Sequence, residues 1–206
     1  MKKIFVFIFV AALALCASQL SEAQATKEAN KLARDGAEAS KNQEWDKAIE
    51  LLRKATDLDH KYADELAAVY QQRGYADATN QQFQDAINDY GEAIKLTPQD
   101  VRVYEQRAAV EMKLQDYDKA LADYSEVIKL KPNEVRYLNY RAYIYEFKKD
   151  LKNSMADTDQ VLKLDPNNQE AKARKNRLLA QQAANAPFTP IPAPSKKPSP
   201  TPHRRP

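Results

Sequence analysis

The hydrophobic and polar positions of the chain recur with a period of 34 residues. The stretches FQDAINDYGEAIKLTP, YDKALADYSEVIKLKP and LKNSMADTDQVLKLDP, which begin at residues 83, 117 and 151, align without gaps. Each begins with a large residue, has a small residue three positions later and ends on a proline. A period of this length predicts an array of stacked copies, because one supersecondary unit cannot bury its apolar face alone.

Each copy predicts two helices joined by a short turn and closed by a proline that cannot continue the second helix. Tyr117, Leu121 and Tyr124 illustrate the apolar stripe at helical spacing in the second helices. Small residues indicate where the paired helices cross most closely. They are Gly36, Gly74, Ala108 and Ala142 in the first helices, and Ala48, Ala86, Ala120 and Ser154 in the second.

These spacings resemble the tetratricopeptide repeat, whose pattern runs W-x2-L-G-x2-Y, then A-x3-F, then P. The resemblance implies an all-α fold, a right-handed superhelical solenoid of antiparallel helix pairs. We predict a repeat domain over residues 26–185, with repeats at 29–62, 67–100, 101–134 and 135–168 and a C-terminal capping helix at 169–185. The four extra residues 63–66 should lengthen a helix spanning 62–79. Ser154 and Thr158, which replace Ala and an aromatic residue, predict looser packing in the fourth repeat.

Three repeats carry an arginine in the first helix and an aspartate sixteen residues later in the second. The first repeat has Asp35 and Leu51 at these places, so both partners are missing together. We interpret the pairs as structural ion pairs; the alternative is a row of ligand-binding arginines. The pairs are Arg73 with Asp89, Arg107 with Asp123, and Arg141 with Asp157.

The amino end is typical of a secretory signal peptide. Two lysines precede twelve apolar residues at 4–15, and Ala23 and Ala25 flank Gln24. We predict a signal peptide over residues 1–25 and an exported protein, periplasmic or secreted. Twelve apolar residues fall short of the roughly 20 that a membrane-spanning helix needs. Lipid attachment to Cys16 stays open as an alternative, although Leu15 stands where bacterial lipoproteins have a small residue.

The carboxyl end differs from the rest in composition and charge. Residues 187–206 contain eight prolines, which predicts a disordered, basic Pro-rich tail over 186–206. The net charge is −5 over residues 26–168 and +7 over residues 169–206. The tail is either a semi-rigid tether or an adhesive segment for an anionic cell-surface polymer or membrane.

The residue types needed for catalysis are scarce. Cys16 is the only cysteine, and His60 and His203 are the only histidines, so a Ser-His or Cys-His pair has almost nowhere to form. The sequence contains no Gly-rich phosphate loop, no HExxH and no EF-hand spacing. We therefore predict that the protein is not an enzyme and that it uses no cofactor and no metal ion.

The resemblance also implies a concave groove, lined by the first helices, that accepts an extended peptide or a helix of a partner. Two of the candidate groove residues, Arg102 and Arg136, are arginines on one wall of this groove, and they favour an acidic or carboxylate-bearing ligand. The plainer alternative is that the candidate residues are ordinary surface residues of a rigid spacer. Ala33 and Ala37 stand where the family's clamp for a terminal carboxylate has Lys and Asn. The candidate groove residues are Gln71, Gln72, Tyr75, Arg102, Gln106, Ala109, Arg136, Asn139, Tyr140 and Tyr143.

The leading functional prediction is an exported scaffold or adaptor that binds a peptide or protein partner in its concave groove. The alternative is an envelope tether whose basic Pro-rich tail binds an anionic polymer or a membrane. Nucleic acid is not expected as a partner, because export separates the protein and its basic tail from the nucleic acid of the cell. The sequence leaves the partner's identity and the oligomeric state open.

Overall fold

The structure, a computed structural model, describes residues 2–185, with side chains from residue 21 onward. The predicted Pro-rich tail at 186–206 lies outside the described residues. Within this range the chain forms nine α-helices, one short 3-10 helix at His60–Tyr62 and no strand. The helices are α1 (Lys2–Lys41), α2 (Trp45–Leu58), α3 (Ala63–Thr79), α4 (Phe83–Leu96), α5 (Val101–Lys113), α6 (Tyr117–Leu130), α7 (Val135–Phe147), α8 (Leu151–Leu164) and α9 (Gln169–Asn185).

The helices pack as consecutive hairpins. α1 pairs with α2, α3 with α4, α5 with α6 and α7 with α8, and each hairpin also contacts the next one along the chain. α9 packs against α8 and covers the range of the predicted capping helix. The all-α solenoid predicted from the repeats is thereby confirmed.

Small residues lie where the paired helices cross, as their spacing predicted. Ala48, Ala86 and Ala120 have no exposed surface. A Cβ atom added at Gly36 would lie 2.8 Å from Cγ of Leu52, so this crossing has no room for a side chain. The close approach lets the backbones of α1 and α2 pack directly together.

The fourth hairpin is packed more completely than its polar residues suggested. Ser154 and Thr158 are both fully buried, which contradicts the looser packing predicted there. The Ser154 hydroxyl donates to the carbonyl of Ala142 at 2.9 Å, and the Thr158 hydroxyl donates to the carbonyl of Ser154 at 2.7 Å. Both hydroxyls are satisfied by backbone oxygens, so their burial carries no unpaired donor.

The amino-terminal helix contains the predicted signal peptide and continues past it. α1 runs from Lys2 to Lys41, and the residues from Ala29 onward provide the buried positions that pack against α2. Among the described residues, no helix combines the length and the apolar character needed to cross a membrane.

The turn inside every hairpin has the same geometry. The residue after each first helix's C-cap is Gln43, Gln81, Gln115 or Lys149, with φ between 59° and 63°. In the third hairpin the N–H of Gln115 donates to the carbonyl of Met112 at 3.1 Å, and the N–H of Asp116 donates to that of Glu111 at 2.9 Å. This is a Schellman motif, whose left-handed residue is usually glycine. Asp116 then caps the next helix, since its side chain accepts from the N–H of Lys119.

Replacing Gln115 with glycine is expected to raise the free energy of unfolding by about 0.5 kcal/mol. A side chain at φ near 60° is strained by its Cβ atom, and glycine removes that strain. Gln115→Ala is the control, because it keeps the Cβ atom and should give no gain. Urea denaturation of the parent protein and the two variants measures the difference. An equal effect of the two substitutions would show that the Cβ atom of Gln115 causes no backbone strain.

Candidate functional site

A cavity of about 860 Å³ opens between α3, α5 and the beginning of α2. Gln71, Gln72 and Tyr75 line it from one face of α3, because residues three and four apart lie on the same side of a helix. α5 contributes the second wall, one hairpin further along the array. The lining residues from α5 and α2 are Arg102, Glu105, Gln106 and Trp45.

A hydrogen bond ties the two walls of the cavity together. Nε2 of Gln71 donates to Oε1 of Gln106 at 2.6 Å, so two of the lining amides already bond to each other. The side chain of Tyr75 stands free by comparison, since 62% of its surface is exposed at the cavity's edge. A second cavity of about 550 Å³ adjoins the first, with Tyr75 and Gln106 shared between them and Ala109 and Phe83 lining it further on.

Six of the ten predicted groove residues therefore come together around these two adjoining cavities. Gln71, Gln72, Tyr75, Arg102 and Gln106 line the first, and Ala109 lines the second. Arg136, Tyr140 and Tyr143 are exposed on α7, one hairpin further along, and they line neither of these two cavities.

Comparison with protein families identifies the array. A family model described as the ETO1 C-terminal domain, which is tetratricopeptide-like, matches residues 6–183. The chain belongs to the tetratricopeptide repeat family. A comparison with curated proteins gives no match.

Solved structures with tetratricopeptide repeats show the same fold. A repeat protein from Parabacteroides merdae has a TM-score of 0.55 at 18% identity, over 77% of this chain and 61% of that one. YrrB, described as a TPR protein with an unusual peptide-binding site, has a TM-score of 0.54 at 16% identity, over 75% and 77% of the two chains. The first TPR of Spaghetti (RPAP3), bound to an HSP90 peptide, has a TM-score of 0.51 at 21% identity, over 58% and 95%.

The tetratricopeptide array buries one residue that was predicted to face the groove. Asn139 is buried, and its Oδ1 accepts a hydrogen bond from Nη1 of Arg174 at 3.0 Å. Arg174 belongs to α9, which packs beside α7 as the first helix of a further repeat would. The prediction of Asn139 as a partner-binding residue is wrong, because α9 covers it.

Two residues of the cavity were not predicted as part of the groove. Trp45 is the first residue of α2 and corresponds to the large residues that open the stretches at 83, 117 and 151, yet it is half-buried and lines the cavity. Glu105 lies beside Gln106 on α5, and one of its oxygens accepts from the Tyr137 hydroxyl at 2.9 Å. The position of Glu105 next to Gln106 on a first helix was the available signal for it.

Arg102 and Arg136 were predicted to attract an acidic ligand. In this tetratricopeptide repeat protein, both form ion pairs with carboxylates of the protein itself. Nη2 of Arg102 lies 2.8 Å from Oδ2 of Asp100, and this hydrogen bond lowers the pKa of Asp100. Nη1 of Arg136 lies 3.0 Å from Oε1 of Glu105. Arg102 remains largely exposed and lines the cavity, whereas Arg136 also donates to the Tyr137 hydroxyl at 2.6 Å.

The three predicted arginine–aspartate pairs form two-pronged ion pairs inside their hairpins. Nε and Nη2 of Arg73 donate to the two oxygens of Asp89 at 2.6 and 2.7 Å. The corresponding distances are both 2.7 Å for Arg107 with Asp123, and both 2.8 Å for Arg141 with Asp157. The aspartates are buried, and the hydrogen bond with Asp89 raises the pKa of Arg73. Each guanidinium thus has an internal partner in place of a ligand.

Proposed function

We propose that this tetratricopeptide repeat protein is a non-catalytic interaction scaffold that binds an extended peptide segment of a protein partner. The observation that carries the proposal is the cavity of about 860 Å³ between α3 and α5, with Trp45 and Tyr75 on its walls. Peptide binding by relatives of the same fold supports it, since the Spaghetti (RPAP3) domain is described as bound to an HSP90 peptide and YrrB as having a peptide-binding site.

The lining residues suit an extended peptide. Gln71, Gln72 and Gln106 carry amides that both donate and accept, as the free N–H and C=O groups of an extended backbone require. Trp45 and Tyr75 supply flat apolar surface for one ligand side chain, and aromatic residues of this kind carry much of the binding energy at interfaces.

We further propose that the ligand carries an acidic residue that Arg102 binds. The guanidinium of Arg102 is largely exposed and Asp100 is half-buried, and ion pairs at the surface contribute only about 0–1 kcal/mol. A carboxylate of a ligand in the cavity could therefore displace Asp100 at small cost. Arg102→Gln should then weaken the binding of acidic peptides and reduce its dependence on salt, which titrations at two ionic strengths would measure.

Trp45 provides a direct test of peptide binding, because it is the only tryptophan of the chain and lines the cavity. Peptides selected from a random display library against the whole protein should change the Trp45 fluorescence on titration. Tyr75→Ala is expected to weaken this binding by about 10-fold or more, since it removes an exposed aromatic ring at the cavity's edge.

Tyr143→Ala is the matched control for Tyr75→Ala. Tyr143 lies at the equivalent place in α7, two repeat periods further on, and is also exposed, but it lines neither of the two cavities. The selected peptides should bind the Tyr143→Ala protein with unchanged affinity. Peptides that bind without changing Trp45 fluorescence, or that lose affinity equally in both variants, would contradict the location of the site.

We also propose that the scaffold acts outside the cytoplasm after removal of residues 1–25. The described residues 21–24 and 26–28 are exposed, and the buried positions of α1 begin at Ala29, so cleavage after Ala25 leaves the packed part of the helix intact. Mass spectrometry of the protein from its own cells should find Thr26 as the first residue. An intact amino end, or a lipid on Cys16, would contradict this proposal.

A further inference from the structure

A stripe of exposed aromatic residues runs along α7. Tyr140, Tyr143 and Phe147 have 44%, 48% and 55% of their surfaces exposed. Their spacing of three and four residues places them on one face of the helix. Large aromatic residues that share an exposed face indicate a docking surface more strongly than scattered ones do.

The hairpin before α7 holds two rings of this stripe in place. The ring centroid of Tyr140 lies 5.4 Å from that of Tyr124, and the ring centroid of Phe147 lies 4.5 Å from that of Tyr117. Tyr124 is buried and Tyr117 half-buried. The outer rings are therefore supported from beneath, and little side-chain entropy remains to be lost when something packs on them.

The described chain ends close to this stripe. α9 lies beside α7, because Nε of Arg177 is 2.8 Å from Oε1 of Glu146 and Nη1 of Arg174 is 3.0 Å from Oδ1 of Asn139. These contacts show that the two helices run in the same direction. By these two contacts Phe147 is level with residue 178 or 182 of α9, which places Asn185 about 5–10 Å past the level of Phe147.

The residues that follow have the composition and the length to reach back along the stripe. The sequence PFTPIPAP at 187–194 has four prolines together with Phe188 and Ile191. In a polyproline II conformation these eight residues span about 25 Å. The path from the end of α9 back to Phe147 combines about 5–10 Å along the helix with the roughly 8–10 Å between packed helix axes, about 10–14 Å in all, and Tyr140 lies about 10 Å further along α7.

We propose that residues 187–194 dock on Tyr140, Tyr143 and Phe147, antiparallel to α7. Proline-rich segments bind grooves lined by aromatic residues, because a polyproline II chain loses little entropy on binding. Attachment to α9 provides an effective concentration in the mM range, which makes a contact with a sub-millimolar Kd largely occupied. The docked segment covers the part of the concave face that α7 forms and leaves the cavity between α3 and α5 open.

A spin label at the end of the segment tests this proposal in the full chain and requires no partner. The label is attached to Ser195→Cys in a Cys16→Ser background, which leaves one cysteine. The amide signals of residues 140–147 should lose more than half of their intensity through paramagnetic relaxation. Those of residues 71–75 should be unchanged.

Matched variants separate docking from simple proximity. Phe188→Ala combined with Ile191→Ala should restore the α7 signals, and it leaves every described residue intact. Tyr143→Ala combined with Phe147→Ala should restore them too, whereas Tyr75→Ala, at the equivalent place in α3, should not. Full intensity at residues 140–147 in the labelled parent would overturn the proposal.

Three further outcomes would also overturn it. The loss of signal could persist unchanged in the Phe188 and Ile191 variant, which would reflect the tether alone. The loss could move to residues 71–75, which would place the segment in the cavity between α3 and α5. The full loss could also appear when a spin-labelled chain without ¹⁵N is mixed with a ¹⁵N-labelled chain that carries no spin label. The segment on the stripe would then come from a second copy of the protein.

Discussion

Replacing Asp157 with alanine is expected to lower the free energy of unfolding by about 3 kcal/mol, because it leaves the partly buried guanidinium of Arg141 without its carboxylate. The Ser125 hydroxyl, which accepts from Nη1 of Arg141 at 3.1 Å, cannot neutralise that charge. For a chain of this size the melting temperature should fall by about 6–12 °C. Chemical and thermal denaturation measure both quantities.

Two controls show whether burial of the pair causes this loss. Glu126→Ala breaks the exposed pair of Lys129 with Glu126 and should cost less than about 1 kcal/mol. Asp123→Ala should cost less than Asp157→Ala, because loss of the Asp123 charge lowers the raised pKa of Glu111. Oε1 of Glu111, 4.0 Å from Nε of Arg107, can then ionise and partner the guanidinium. Equal losses for Asp157→Ala and Glu126→Ala would contradict the buried ion pair, and peptide affinity should change in none of the three variants.

The helix pairs were predictable because a small residue recurs at the crossing in every repeat, and the ion pairs because both partners recur in three repeats and are missing together from the first. A helix crossing with no room for a large side chain requires a small residue in each copy, so Ala86 and Ala120 recur at the period of the array. Arg107 and Asp123 recur for the same reason, since a buried carboxylate requires its partner. Comparison between copies of one chain thus carried the information that an alignment of homologues would otherwise provide.

The limits of the groove were harder to predict, because they depend on neighbours that differ from repeat to repeat. Asn139 resembles its equivalents Gln71 and Glu105 in sequence, but only Asn139 lies under a helix, α9, that carries a buried arginine. Trp45 lines the cavity because α3 and the turn before α2 lie side by side. The left-handed turns were not predicted for a different reason, since glutamine, or lysine in the fourth hairpin, stands where glycine would have indicated them.

Glu111 is a buried carboxylate without a complete set of partners. It is 2% exposed, and its Oε2 has no hydrogen-bond partner among the described residues. Burial, followed by the charge of Asp123, raises the pKa of Glu111 from 4.5 to about 7, with Asp116 adding to the increase. Arg107 and Lys119 act in the opposite direction. This acid therefore keeps its proton in the folded protein over a pH range in which the unfolded chain has lost it.

Replacing Glu111 with glutamine is expected to stabilise the protein at pH 8 by about 3 kcal/mol, from the difference between a pKa of 4.5 unfolded and about 7 folded. Because the folded pKa is the higher one, the stability of the parent protein falls as the pH rises from about 4.5 to about 7 and then levels off. Glutamine keeps the size of the side chain and removes this charge, so the gain should shrink towards zero at pH 4.5. Urea denaturation of both proteins between pH 4.5 and pH 8 measures the gain. A gain of the same size across the whole range would show that it does not come from the charge of Glu111, and no gain at pH 8 would show that the pKa of Glu111 is not raised in the folded protein.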